Sequence, residues 1–370
     1  LNFSALIDYL KRYDYSFLGL NLVIFLFGII NLYSATHASG KEALFEIYKV
    51  QLTYFIISIF IGIAVSTIHP KNYYRIAYFA YVLCIFLLAM VLIIGHTGMG
   101  ATRWLSIGPI RFQPSELSKI CVVLALGRWL TKHNPEKELG LKDLIFPGLL
   151  VMVPAVLVVV QPDLGTGILI LLIFGMMVLY RQLKFKTMLI IALISVVCGT
   201  LMYNYGLKEY QRNRIRTFIN PDADAKGTGY NAIQSKIAIG SGQFFGKGFK
   251  KSSQASFNYL PENHTDFVFS VFNEEHGFFG SLILIILYVT MLLRYVWLSQ
   301  SVTRLFESIL AIGLMSIFFW HTFINMSMVT GLAPIVGIPL PMMSYGGSSL
   351  LTYGIAAGMA TSLSNSRNFF

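Results

Sequence analysis

Residues 76–95 read IAYFAYVLCIFLLAMVLIIG, a run without a charged side chain or an amide. About 20 apolar residues at roughly 1.5 Å rise each cross the hydrocarbon core of a bilayer, so this stretch predicts a transmembrane helix. Similar runs recur on both sides of it, giving ten spans at about 16–34, 50–68, 76–95, 115–130, 144–160, 164–180, 187–205, 267–297, 305–325 and 347–364. Composition agrees: 55% of the 370 residues are hydrophobic and 12% are charged, which no soluble domain could bury. The expected fold is an all-α polytopic membrane protein with about ten transmembrane helices, a single integral membrane domain over 1–370. A large, partly ordered extracytoplasmic loop at 206–264 separates the seventh and eighth helices, with a short helix near Tyr230–Ile239. A soluble enzyme, a disordered chain and a secreted disulfide scaffold are excluded.

The net charge of +11 does not sit in one basic run, as a nucleic-acid surface would require; it punctuates the apolar segments. With a cytoplasmic N-terminus, 14 of the 28 Lys and Arg fall in inner segments and 5 in short outer loops. That bias places both termini in the cytoplasm, the long loop being exempt from the count. No short leader with a small-residue cleavage site precedes the first run, which is expected to remain as a signal anchor. Cys84, Cys121 and Cys198 all lie in apolar segments, where a thiol acts as a small hydrophobe, and no disulfide is expected.

In this topology the segments dense in Pro, Gly and charge all face outward: Gly98–Lys119, Gln161–Gly165, Gln211–Asp266 and Met328–Ser349. The fourth, sixth, eighth and tenth helices begin there, beside Glu116, Asp163, Asp266 and Ser348, and their positive ends favour an anionic ligand such as a phosphate group. Glu116 and Lys119, three apart, share a helix face and can act on one ligand or simply pair with each other. Glu262, His264 and Asp266 stand at the mouth of a span as groups able to exchange protons, although Thr265 or Asp266 could merely cap the helix. The spacing of Glu274-Glu275-His276 does not suit a helical zinc site, and no phosphate-loop or dinucleotide fingerprint is present. Lys247, Lys250 and Lys251 read as a basic surface near lipid headgroups or as a diphosphate cradle. Gly331–Ser349 carries three prolines and repeated glycines, so it cannot be a regular span and must be buried in protein or line a cavity.

Four stretches, taken together and in order, resemble the signatures of the SEDS family (shape, elongation, division and sporulation). They are Gln113-Pro114-Ser115-Glu116 with Lys119; Gln161-Pro162-Asp163-Leu164-Gly165-Thr166; Pro261-Glu262-Asn263-His264-Thr265-Asp266-Phe267; and Gly337-Ile338-Pro339-Leu340-Pro341 with Ser344-Tyr345-Gly346-Gly347-Ser348-Ser349. The likeness is greatest to the branch serving cell-wall elongation and cell shape. It implies a peptidoglycan glycosyltransferase in the bacterial cytoplasmic membrane. Such an enzyme joins the disaccharide units of lipid II into glycan strands at the outer face, with inversion and with a polyprenyl diphosphate as leaving group. It also implies a class B penicillin-binding protein as partner, alongside lipid II and the growing strand, and no nucleic acid.

The family's essential aspartate maps onto Asp266, its conserved Glu and Lys onto Glu116 and Lys119, and the arginine pair of its long loop onto Arg214 and Arg216. Asn231, Asn263 and Asn273 depart from the commoner residues at their positions. Asp266, Glu116 and Lys119 are therefore the expected catalytic groups. Arg103, Trp104, Gln113, Ser115, Asp163, Arg214, Arg216, Glu262, His264 and Thr265 are the expected substrate-binding set. A divalent cation (Mg or Mn) is the one cofactor to be tested, its ligands unknown, and no organic cofactor is expected. The rival readings are a lipid II flippase, which needs a polar path through the bilayer, and a scaffold for the penicillin-binding protein, which needs no buried Asp.

Overall fold

The computed structural model describes residues 13–38, 46–98, 101–107, 110–133, 137–221 and 227–369. Each apolar run forms a helix: α1 Ser16–Ala38, α2 Ile47–Ser66, α3 Pro70–Ile94, α4 Pro114–Lys132, α5 Ile145–Val160, α6 Leu164–Tyr180 and α7 Phe185–Leu201. Within the long segment that follows lie α8 Glu209–Ile219, α9 Thr228–Ser241 and α10 Ser253–Ser256; the last three long helices are α11 Val268–Ser301, α12 Leu305–Thr330 and α13 Gly347–Phe369. The helix expected near Tyr230–Ile239 is α9.

Seven helical stretches among the described residues are long and apolar enough to cross a membrane. Of the three that fall short, α4 and α13 are largely buried in the bundle, whereas α6 is an apolar helix of 17 residues with part of its surface exposed. On α4, 15 of 19 residues are buried, between α3, α6, α12 and α13. A helix walled by protein can carry Glu116 and Lys119 because neighbouring side chains, not hydrocarbon, solvate them. At the other extreme α7 buries Thr187 alone and presents apolar side chains all round.

Two features depart from a plain bundle. Three strands, β1 His96–Gly98, β2 Ala101–Ile107 and β3 Ile110–Phe112, form an antiparallel sheet in which Leu105 pairs with Phe112 and Ile107 with Ile110. In the sequence, Gly108-Pro109 punctuates two runs of β-favouring residues, the pattern of a hairpin, within the segment dense in Pro, Gly and charge. Helix α11 is broken at Gly277, whose φ of +65° is left-handed. Residues 243–248 lie along the break: Lys247 and Gly248 N–H groups donate to the carbonyls of Glu274 and Glu275, and Phe278 and Phe279 donate to those of Gln243 and Phe244. The carbonyls and amides freed by the kink thus find partners in the long segment.

Candidate functional site

The beginnings of four helices meet at one end of the bundle. Gln113, at the start of α4, donates its backbone N–H to Ser348 Oγ of α13 at 3.0 Å and its side-chain amide to Asp163 Oδ2 at 3.2 Å. Asp163 caps α6 by accepting from Thr166 N–H at 3.2 Å and from the Thr166 hydroxyl at 3.0 Å. Ser115 accepts from the Gln113 amide at 3.0 Å. This trio is a hydrogen-bonded joint between helices: its groups face one another, and Asp163 also borders the adjoining cavity.

Asp266 stands just before α11, half-buried, against the wall formed by 331–346. That wall is irregular, as its prolines require, and its polar groups are met. Asn325 Nδ2 on α12 donates to Ile338 O at 2.7 Å and to Asp266 O at 3.0 Å, Ser344 Oγ donates to Thr265 O at 2.6 Å, and Tyr345 N–H donates to His264 O at 2.9 Å. Residues 264–266 and the wall are therefore one unit. The helix-cap reading of Thr265 and Asp266 fails here. Residue 267 occupies the cap position without a side-chain bond, and Thr265 Oγ1 instead donates to Glu262 Oε2 at 3.0 Å. Glu262 holds a left-handed φ of +55°, the kind of backbone strain that persists where surroundings over-determine it.

Gly337 has φ +74°, and a Cβ there would lie 3.3 Å from Asp266 Oδ2. Gly337→Ala is expected to destabilise the fold by about 1–2 kcal/mol through the left-handed backbone and to displace the carboxylate. Thermal unfolding and turnover measured on the same preparation check it; an Ala variant with unchanged turnover would show that the carboxylate tolerates the push.

Burial pushes the Asp266 carboxyl from its usual 3.8 up to about 6; the Glu262 carboxylate adds to the rise, while Arg214 and Arg103 oppose it. Beside this group a cavity of about 130 Å³ is lined by Arg103, Asp163, Tyr210, Arg214, Pro334 and Val336, among others. Arg103, on β2, donates to the carbonyls of Gln161 and Pro162, which use two of its five N–H donors. A smaller cavity of about 30 Å³ continues past Arg214 to Lys236 and Gly331. Lys236 was not anticipated as a site residue.

Arg214 and Arg216 do not act as a pair. Two positions apart on a helix they point about 200° apart, so Arg214 turns to the cavity while Arg216 bonds Glu209 at 3.0 Å on the exposed side of α8. Trp104 is half-buried on β2 and His264 half-buried against the wall, where its carbonyl accepts from Tyr345 N–H and its ring lies 6.2 Å from the Tyr345 ring. Lys247 is bound to Glu274 at 2.5 Å and lies apart from the cavity beside Asp266. Among the described residues no three His, Cys, Asp or Glu side chains converge as a metal cage. At this mouth the Asp266 carboxylate feels Glu262 as a like charge and Arg214 and Arg103 as opposite charges.

Of the two readings of Glu116 and Lys119, mutual pairing is what the fold contains. Lys119 Nζ donates to Glu116 Oε1 at 2.8 Å, and both side chains are enclosed, with Lys119 at 0% exposure. Lys119 is thus enclosed and does not line the cavity beside Arg214. A third group joins them, His321 of α12, whose Nε2 lies 2.7 Å from Lys119 Nζ. His321 and Asn325 were missed because the 305–325 run was read for its apolar residues. Their spacing of four, two polar groups on one face of a span, was the available signal.

Comparison with known proteins follows the same lines. The cell cycle protein family of FtsW, RodA and SpoVE matches residues 15–368. The peptidoglycan glycosyltransferase MrdB of Escherichia coli K12 is 39% identical over 313 residues, 83% of this chain and 82% of that one. A probable peptidoglycan glycosyltransferase FtsW of a Geobacter species is 31% identical over 96% of this chain and 97% of its own. Among solved structures, a chain of a peptidoglycan synthase complex that coordinates polymerization and crosslinking superposes with a TM-score of 0.81 at 28% identity, over 96% of this chain and 98% of that one. The Thermus thermophilus rod shape determining protein RodA does so with a TM-score of 0.70 at 26% identity, over 96% and 97% of the two chains.

Proposed function

The chain belongs to the FtsW, RodA and SpoVE family of cell cycle proteins, and from that premise we propose how its outer mouth performs peptidoglycan glycosyl transfer. It is a multi-pass membrane enzyme that polymerises glycan strands for cell-wall growth. Its substrate is the polyprenyl-diphosphate-linked disaccharide lipid II, used at the extracytoplasmic face of the cytoplasmic membrane with both termini in the cytoplasm. The observation that carries this reading is Asp266, a carboxylate raised to about 6 that interacts with Arg103 and Arg214, the two guanidinium groups lining the neighbouring cavity.

Asp266 takes the proton from the 4-hydroxyl of the acceptor N-acetylglucosamine as that oxygen attacks the anomeric carbon of the lipid-linked donor. The bond from that carbon to the diphosphate oxygen breaks on the opposite side, so configuration inverts. A carboxylate near 6 is a stronger base than an ordinary aspartate, yet it cannot ionise a sugar hydroxyl beforehand; transfer is concerted with attack. Arg214, with the uncommitted edge of Arg103, receives the charge that develops on the diphosphate. Glu116 and Lys119 serve from beneath, by holding the wall. Because the base works only when ionised, turnover is expected to fall as pH drops through about 6. A rate profile against pH on the purified enzyme checks it; a flat profile between pH 5 and 8 would remove Asp266 as base.

The partner is a class B penicillin-binding protein, and its transmembrane helix is proposed to seat in the groove between α11 and α12. That groove is about 400 Å³ and is lined by Phe269, Phe278, Leu282, Ile285, Val289 and Phe323, with Ser281 and Thr322 as small polar points for close approach. Filling it with Leu282→Trp and Val289→Trp is expected to weaken co-purification of the partner by about 30-fold, the size of one lost interface anchor. Unchanged recovery of the complex would move the interface elsewhere.

The test of the activity is polymerisation of labelled lipid II by the purified chain in detergent, with any polymerase site of the partner inactivated. Detergent abolishes sidedness, so a flippase gives no signal. Glycan polymer supports the transferase; bound lipid II without polymer supports the flippase.

A further inference from the structure

His321 lies where three parts of the molecule meet, and its hydrogen bonds fix its chemical form. The ring is wholly buried on α12. Its Nε2 is 2.7 Å from Lys119 Nζ, its Nδ1 is 3.2 Å from the carbonyl of Pro339, and its plane stands edge-on to Tyr353 at 5.7 Å. A lysine ammonium offers only donors and a carbonyl only accepts. Both contacts are satisfied together by one species alone, the neutral imidazole with its hydrogen on Nδ1 and a lone pair on Nε2. An imidazolium would set two cations against each other at 2.7 Å with Glu116 as the one carboxylate bonded to Lys119.

The bond to Pro339 lands on the segment that flanks Asp266. Pro339 follows Ile338, whose carbonyl takes one hydrogen bond from Asn325 while the same amide group serves Asp266 O. Gly337, next in line, is the residue whose added Cβ would touch the Asp266 carboxylate. His321 and Asn325, one turn apart on α12, therefore grip consecutive carbonyls of the wall. The grip through His321 is anchored in turn on the buried Glu116–Lys119 pair of α4.

We propose that His321 is a positioning residue of the transferase: as a neutral, Nδ1-protonated imidazole it carries the Glu116–Lys119 pair to the Pro339 carbonyl and so holds the wall that sets Asp266. It touches no reacting atom. This rests on the transferase reading above, and it gives the buried Lys119 a task that exposure to the diphosphate does not.

The experiment compares His321→Ala, His321→Leu and His321→Gln with wild type in lipid II polymerisation, after each has been shown to be monodisperse. Gln returns a carbonyl oxygen able to accept from Lys119, whereas Leu fills the volume without a hydrogen bond. Ala and Leu are expected to lose about 30-fold in kcat with KM within about twofold, and Gln to recover to within about fivefold of wild type. Leu at the wild-type rate, or a loss confined to KM, would overturn the proposal, since packing or substrate binding would then explain the residue. If removing one partner of the buried cluster prevents folding, the triple variant Glu116→Gln, Lys119→Met and His321→Leu leaves no uncompensated charge. A wild-type rate from it overturns the proposal and a slowed rate supports it. Nitrogen NMR of the histidine-labelled full chain separates the two levels. Should the wild type make no polymer, the transferase reading falls, while a protonated Nδ1 with an unprotonated Nε2 at His321 still upholds the assigned grip and the reverse pattern refutes it.

Discussion

Asp266→Asn is expected to lower glycan polymerisation by about 10³-fold, in the range that a positioned general base contributes. The amide keeps the size and most of the polar contacts of the carboxyl, and the bonds that hold this segment run through the backbone: Asn325 to Asp266 O, Ser344 to Thr265 O and Tyr345 to His264 O. Folding should survive. The sign of the stability change follows from the raised carboxyl. Its value of about 6 lies above the ordinary 3.8, so the fold favours the protonated form, and stability falls as pH rises from about 3.8 to about 6, the full cost of the buried charge persisting above that. At pH 7.5 the Asn variant should therefore melt no lower than wild type, while lipid II binding persists and polymer is lost. A variant within about tenfold of the wild-type rate would be too active for a missing base and would return the proton transfer to Glu262 or to solvent.

Arg214→Gln should give the second-largest loss, about 10²-fold in kcat, the lower end for removing one donor to a developing anion. It should also move the pH profile. Arg214 and Arg103 both hold the Asp266 carboxyl down against burial and Glu262, so losing Arg214 raises the apparent value above about 6 and shifts the acidic limb to higher pH. Arg216→Gln is the matched control, since that side chain is engaged with Glu209 and faces away from the cavity. Equal losses at both positions would mean that the arginines act through the overall charge of α8. A loss at 214 alone, with the shifted limb, assigns Arg214 to the leaving group.

Local pattern sufficed for the helices, because each apolar run meets the same requirement: a backbone crossing hydrocarbon must satisfy its own hydrogen bonds. It sufficed even for α4, whose charged residues sit among valines and leucines that announce a buried helix. The three-stranded sheet was less legible, because two of its strands have only three residues, too few for a periodicity, and pairing is a relation between strands. At the site, the motif around Asp266 and the basic residues Arg103 and Arg214 could be picked out as types. The division of labour among them could not. The sequence presents Arg214 and Arg216 as equals, and the helix sends them to opposite sides.

The sequence by itself determined that this chain spans a membrane many times, that its polar chemistry gathers beside the starts of alternate helices, and which family's motifs it carries. These are properties of composition, spacing and identity, which exist before folding. Only the tertiary structure decided that Glu116 and Lys119 face each other and His321 instead of the cavity, that Asn325 ties Asp266 to the proline-rich wall, and that burial outweighs two arginines in setting the carboxyl. Each of those depends on distance between groups far apart in the chain. Hydrogen bonds and desolvation act over a few ångströms of space, a quantity that residue numbers do not encode.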